Sequence, residues 1–251
     1  MARLVFFPNQ GQGSGLLNNL AAFPRGIIGI GFPECLGPAK APSWQGNFTA
    51  NWTDLGEGVW RVEGATEGLL TYSITVRPAE EHCDFEFSLT NTSTEAWDQG
   101  MAFNCVQAGS LDKARDNECI RHWTGQQGQL VKLPALPRQY SPRPTVQLYS
   151  VEGQPPGAEI PFVANFQATP ADLVVEPWLA IESQDGRCSV ATVSKPALFL
   201  FQNMEYSCIH SGCGFGPMEP GATSQAVNRV FAVARPVKEL YPLIQEFLSA
   251  G

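Results

Sequence analysis

The chain has 251 residues, 43% of them hydrophobic and 16% charged, with a formal net charge of −8. That length and composition fit one globular domain with a sizeable core. The acidic balance, with Lys and Arg scattered instead of striped, excludes the basic footprint that nucleic acid requires, and no run approaches the ~20 apolar residues of a membrane span.

Ala2 to Phe7 reads as a first strand, and its apolar run stops at Pro8, too short for the core of a signal peptide. A cytoplasmic protein is therefore expected, with neither membrane nor nucleic acid as partner. Gly15 to Phe23 is read as two helical turns. Strands are then expected at Gly26 to Gly31, Asn47 to Thr53 and Val59 to Glu63. The clearest alternation follows: Leu70, Tyr72, Ile74 and Val76, then Phe85, Phe87 and Leu89, alternate with polar residues, which gives two half-buried antiparallel strands. Between them, Arg77 to His82 is a polar connection suited to a hairpin, and His82 is expected to be exposed there.

Met101 to Gln107, Gln129 to Leu133 and Thr145 to Val151 continue the strand series, the last embedded in a proline-rich, irregular stretch from Pro134 to Pro161. Further strands are expected at Leu173 to Glu182, Cys188 to Val193, Ala197 to Gln202 and Ala226 to Ala234. Val237 to Leu248 ends the chain as an amphipathic helix with Leu240, Leu243, Ile244, Phe247 and Leu248 on one side. So many short strands punctuated by Gly and Pro predict an all-β fold: one large antiparallel two-sheet β-sandwich over residues 1–251 with a C-terminal helix at about 237–248.

The seven cysteines include no Cys-x-x-Cys pair and sit mostly in apolar runs, so reduced, buried thiols are expected. Cys105 reads as packing in preference to a nucleophile. There is no Gly-x-Ser-x-Gly elbow, phosphate loop or dinucleotide fingerprint. Three groups of residues remain as chemistry. His122 lies between Arg121 and Trp123. If this segment is a loop, all three converge on a ligand, with Arg121 as anion clamp and Trp123 as stacking face; if it is a strand, His122 turns to the core.

His210 lies in Tyr206 to Pro217, a run too rich in glycine to be expected as continuous strand, and is placed at the sandwich rim as an acid or base. Cys208 and Cys213 beside it raise structural zinc, but no second Cys/His pair has matching spacing, so no metal and no cofactor is expected. One alternative is a mononuclear site made of His122, His210 and an acid such as Glu182. In the third group, Glu176, Trp178, Ala180 and Glu182 share a strand face that suits either a sugar surface or solvent.

Leu70 to Val76, the segment Phe85 to Ser93 with its Thr90-Asn91 pair, and the strand at Met101 to Gln107 resemble the central strands of galactose-mutarotase-like proteins, the aldose epimerase superfamily. The turn around Pro220-Gly221 before the last long strand is also similar. The resemblance implies a sugar-handling sandwich whose site face presents Asn104, Gln107, Arg121, Trp123 and His210. It departs at the catalytic histidine, which the family carries on the strand after the Thr-Asn pair and which Phe103 to Gln107 lacks. The reading is therefore a carbohydrate-active enzyme on a sugar or uronate, an isomerase, lyase or hydrolase. His210, His122 and Arg121 are its catalytic candidates, and Asn104, Gln107, Trp123, Trp178 and Glu182 would bind a small-molecule or oligosaccharide substrate. Alternatives are a non-catalytic carbohydrate-binding module and a metal-dependent enzyme on the same fold. The sequence assigns no oligomeric state.

Overall fold

A computed structural model describes residues 3–111, 113–137, 146–156, 159–160 and 173–250. Two nine-stranded sheets face each other. The first runs β1 (Val5–Asn9), β2 (Ser14–Asn18), β3 (Ile28–Pro38), β9 (Trp97–Gln107), β17 (Cys208–Met218), β16 (Ala197–Asn203), β12 (Val146–Val151), β13 (Val174–Val175), with β4 (Ser43–Trp44) paired to β3 off this path. The second runs β11 (Gln129–Lys132), β10 (His122–Gln126), β14 (Trp178–Glu182), β15 (Ser189–Lys195), β18 (Thr223–Val233), β8 (His82–Asn91), β7 (Leu70–Pro78), β6 (Val59–Thr66), β5 (Asn51–Gly56). The β12–β13 pair is parallel, and the pairs that build the site are antiparallel. The expected all-β sandwich is therefore the observed fold.

Period two builds the core. Leu70, Tyr72, Ile74 and Val76 of β7 and Cys83, Phe85, Phe87 and Leu89 of β8 are buried, as their alternation predicts. They meet the first sheet through β3, where the Phe32 ring stands edge-on to Phe85 and Phe87 at 5.2 and 5.4 Å between centroids. No described helix is long and apolar enough to cross a membrane.

Two local expectations are corrected. Gly15 to Phe23 is not helical: β2 pairs with both β1 and β3, burying Leu17 while Leu16 faces out. Gly15 fits there because a Cβ would collide with the Phe6 ring. The glycine-rich run ending at Pro217 is turn at Tyr206 and Ser207 and strand from Cys208 on, with register shifts against β9, because its glycines answer steric demands. A Cβ on Gly212 would come within 2.8 Å of the Phe199 ring, and Gly216 takes φ +69° where the pairing with β9 shifts register. Of the stretch from Pro134 to Pro161, positions 138–145, 157–158 and 161 lie outside the described residues, as do the ends of the strands expected to start at Ala2 and Thr145.

The helix α1, Val237–Ser249, is where expected, and its Val237, Leu240 and Ile244 are buried. They pack on Trp178, Ala180, Ala191 and Val193. The strand expected from Leu173 to Glu182 breaks at Glu176 and Pro177, and α1 covers Trp178 and Ala180 while the Glu176 and Glu182 side chains stay half-buried. Trp178 is fully buried beside Tyr241, and the Glu182 carboxylate accepts the Val237 N–H at 2.9 Å, capping the helix.

Candidate functional site

The outer face of the first sheet carries the most concentrated chemistry, and strand register puts it there. Antiparallel pairing of β9 with β17 sets Cys208 across from Gln107, Ile209 across from Val106 and Gly212 across from Phe103, so His210 lies across from Cys105. Pairing of β17 with β16 sets Phe201 across from His210 and Asn203 across from Cys208. Alternation then sends Phe103, Cys105, Gln107, Cys208, His210, Phe201 and Asn203 to the same side, while Val106 and Ile209 enter the core. These side chains floor a cavity of about 320 Å³. Trp44, Tyr206 and Glu34 complete its rim, and Trp44 and Tyr206 are substantially exposed to it and to solvent. Gln107 and Tyr206 also line a second hollow of about 280 Å³ with Arg115 and Glu205, so a ligand longer than one ring has room to continue.

His210 is tightly oriented. Its ring stacks on Phe201 with centroids 3.7 Å apart and planes 9° from parallel. Nδ1 lies 3.3 Å from the Phe201 carbonyl oxygen. A carbonyl only accepts, so Nδ1 carries the proton of that bond and Nε2 is the atom turned to the cavity floor. Nε2 lies 3.5 Å from Glu34 Oε2 and 3.7 Å from Cys208 Sγ. Burial works against a charged imidazole, but the Cys105 sulfur and the Glu34 carboxylate outweigh it and push His210 up to about 9. The contact with Cys208, together with burial, holds the Cys105 thiol well above its ordinary range. Cys105 Sγ, Cys208 Sγ and His210 Nε2 lie within 4.8 Å of one another and form the one group able to hold a metal ion among the described residues.

Of the catalytic and substrate-binding candidates from the sequence, Gln107 and His210 share this cavity, together with Cys105 and Cys208. Asn104, next to Cys105, points between the sheets, where Nδ2 donates to Thr192 Oγ1 and Asn228 Oδ1, both at 2.8 Å, and Oδ1 accepts the Ser211 N–H at 3.0 Å. The Arg121-His122-Trp123 run does not converge. Arg121 Nη1 donates to the carbonyls of Glu182 and Lys113 at 2.8 and 3.0 Å, which fixes a loop and provides no anion clamp. His122 opens β10 and turns inward, fully buried, with Nδ1 3.0 Å from Asp116 Oδ2. Trp123 takes the other face, with Lys132 Nζ 5.0 Å from its ring centre. A metal trio of His122, His210 and Glu182 does not assemble, since His210 points into the cavity on the outer face of the first sheet, away from His122 and Glu182 on the second.

Sequence reasoning missed Glu34, Trp44, Phe201, Asn203 and Tyr206 as site residues. Glu34 had a usable signal, as the lone carboxylate in the apolar run from Ile28 to Leu36. The others become neighbours only through the register of β3, β9, β17 and β16.

No protein-family model and no curated protein matches the chain. Solved structures similar to it include a galactose mutarotase related enzyme from Lactobacillus acidophilus, at 8% identity and TM-score 0.48 over 93% of this chain and 98% of that one. A galactose mutarotase-like protein from Lactobacillus casei is similar at 9% identity and TM-score 0.46 over 92% of this chain and 100% of that one. One from Clostridium acetobutylicum is similar at 10% identity and TM-score 0.45 over 89% and 94%. Likeness at this level assigns no reaction and no residue.

Proposed function

We propose that the cavity between Trp44 and His210 takes a neutral, sugar-sized polyhydroxylated molecule and that Glu34 and His210 move protons on it, in an isomerase-type reaction. The observation that carries this reading is the make-up of one cavity: aromatic rings from Trp44, Phe103, Phe201 and Tyr206, and polar groups from Gln107, Asn203, Glu34 and His210. Ring faces suit the C–H face of a sugar, and the convergent amide, carboxylate and imidazole groups suit its hydroxyls. The charged or chargeable side chains among the described lining residues other than cysteine and tyrosine are Glu34 and His210, with no Lys or Arg, which favours a neutral sugar over a uronate.

The chemistry follows from the pair. Glu34 accepts a proton from one substrate atom while His210, held in orientation by the Phe201 carbonyl, returns one to another, so no net proton is consumed. Nuclear magnetic resonance of neutral aldoses and ketoses with the purified protein tests it, by following interconversion of isomers. Glu34→Gln and His210→Gln are each expected to slow interconversion by ~100-fold or more. Unchanged rates in both variants would remove the reading, and saturable sugar binding without turnover would replace it with a carbohydrate-binding module.

A further inference from the structure

The geometry points to a zinc site on the cavity floor, formed by Cys105 Sγ, Cys208 Sγ and His210 Nε2, with the fourth position open to the cavity beside Glu34. It shares the cavity with the sugar reading, does not rest on it, and takes His210 Nε2 from the proton-moving role given to it there. No spacing rule along the chain finds this site, because Cys105 comes from β9 and the other two from β17. The strand pairing that sets His210 across from Cys105, with Cys208 two residues from His210 on the same face, brings the three donors together.

Three independent features support a ligand role over mere packing. The first is separation: Cys208 Sγ and His210 Nε2 are 3.7 Å apart, and all three donor atoms lie within 4.8 Å, spacings that one ion with Zn–S of ~2.3 Å and Zn–N of ~2.0 Å spans with small side-chain adjustments. The second is orientation. His210 Nδ1 donates to the Phe201 carbonyl, and the ring is stacked on Phe201, the arrangement that fixes the tautomer and aims Nε2 at an ion. Gln107 Nε2, 3.7 Å from Cys105 Sγ, is placed to donate to that sulfur.

The third feature is the open side. Two thiolates and an imidazole leave a tetrahedral ion one position, which here faces a cavity instead of a fourth protein ligand from the core. Soft sulfur with imidazole selects zinc over magnesium or calcium, and three protein ligands with one open position is the pattern of a reactive site. Glu34 Oε2, 3.5 Å from His210 Nε2, can close that position or take a proton from a water or hydroxyl held there. With zinc bound, His210 no longer exchanges protons and Glu34 alone keeps that task.

The test uses the full chain, stripped with chelator and titrated with cobalt(II) as a visible stand-in, then with zinc(II) alone. One equivalent of cobalt is expected to give a thiolate-to-cobalt charge-transfer band and the visible bands of a tetrahedral ion, both abolished by zinc. Cys105→Ser and Cys208→Ser should each lose the charge-transfer intensity, and Cys188→Ser should keep it. Glu34→Gln, beside the open position, should weaken zinc binding by roughly 10- to 100-fold. As a measurement independent of variants that fold poorly, zinc should protect Cys105 and Cys208 of the unmodified chain from alkylation, read by mass spectrometry. Absence of a charge-transfer band, a band that survives both serine variants, or equal alkylation with and without zinc would overturn the site. Zinc binding with no sugar turnover would leave it standing and sink the sugar reading; turnover by the chelated protein with no metal binding would do the reverse.

Discussion

Asp116 and His122 form a buried pair, with His122 Nδ1 3.0 Å from Asp116 Oδ2 and side-chain exposures of 0% and 3% for the histidine and the aspartate. The same carboxylate oxygen accepts the Arg121 N–H at 2.7 Å, while the Asp116 N–H donates to Ser207 Oγ at 2.7 Å, tying this loop to the chain that leads into β17. Burial works to raise the Asp116 carboxyl, but the His122 bond and the Arg121 backbone bond outweigh it and hold the group below its ordinary value.

A pH dependence of stability follows. The folded-state value lies below the unfolded one, so the stabilisation is complete above the ordinary aspartate value of ~4 and is lost as pH falls through the folded value. Urea unfolding at pH 7 and at steps below pH 4 should show a falling free energy, with a shallower fall in Asp116→Asn. His122→Leu removes one of the two bonds to Asp116 Oδ2 and leaves the Arg121 N–H, so it should cost about 1–3 kcal/mol at pH 7. A variant as stable as the parent would show that the pair contributes nothing.

The buried amide of Asn104 is a second test of what a candidate site residue does. It joins β9 to Thr192 of β15 and Asn228 of β18 in the other sheet and takes a backbone N–H from β17. Asn228 in turn donates to Thr192 Oγ1 and Ser194 Oγ, so losing Asn104 disturbs a connected set. Asn104→Ala should lower unfolding free energy by about 3 kcal/mol or more, since buried partners are left unsatisfied at ~1–3 kcal/mol each. Asn104→Asp should be at least as damaging, because it replaces the amide that donates to Thr192 and Asn228 with an acceptor. Loss of activity without loss of stability in either variant would move Asn104 back among the substrate contacts.

These two residues mark the boundary of what the sequence tells. The sandwich is legible because Leu70 to Val76 and Phe85 to Leu89 alternate cleanly, and a half-buried strand has no other way to segregate apolar groups. The helix at the C-terminus is legible for the same reason at period 3.6. Leu16 and Leu17 are not, since a short apolar pair followed by Leu20 fits a helical turn as well as an edge strand. Sequence adjacency also misleads at His122 and Trp123, which β10 sends to opposite faces, while Arg121 lies in the turn before it. Cys105 and His210 carry the converse lesson: distant in sequence, they become neighbours through the register of β9 on β17, which no single stretch of sequence encodes.

Glu176 gives a prediction about the helix. Its carboxylate accepts from Trp178 Nε1 at 3.0 Å, Tyr241 Oη at 3.0 Å, Gln245 Nε2 at 2.8 Å and the Gly128 N–H at 3.1 Å. Burial and the bond to Glu176 push the Tyr241 hydroxyl up to about 12. Glu176→Ala should loosen α1 before it unfolds the sandwich, because the helix contacts mainly β14 and β15. Amide exchange across Val237–Ser249 should speed by ~10-fold or more, as loss of ~1.5 kcal/mol of charge-assisted bonding implies. Exchange that is unchanged in the helix would assign its docking to Leu240 and Ile244 alone.

The cavity walls make the last prediction, and it separates binding from chemistry. Trp44 is 37% exposed at the cavity rim, and its ring stands edge-on to Phe103 with centroids 5.7 Å apart. An aromatic wall contacts bound substrate and transition state alike, so removing it takes away uniform binding. Trp44→Ala should therefore raise KM by ~10-fold with kcat within about twofold. Glu34→Gln should do the opposite, lowering kcat with little change in KM, since its proton moves only during the reaction. Initial-rate kinetics of the two variants on one sugar substrate checks both. A matched fall in kcat for Trp44→Ala would mean that the indole positions the reacting atoms as well as binding the ring.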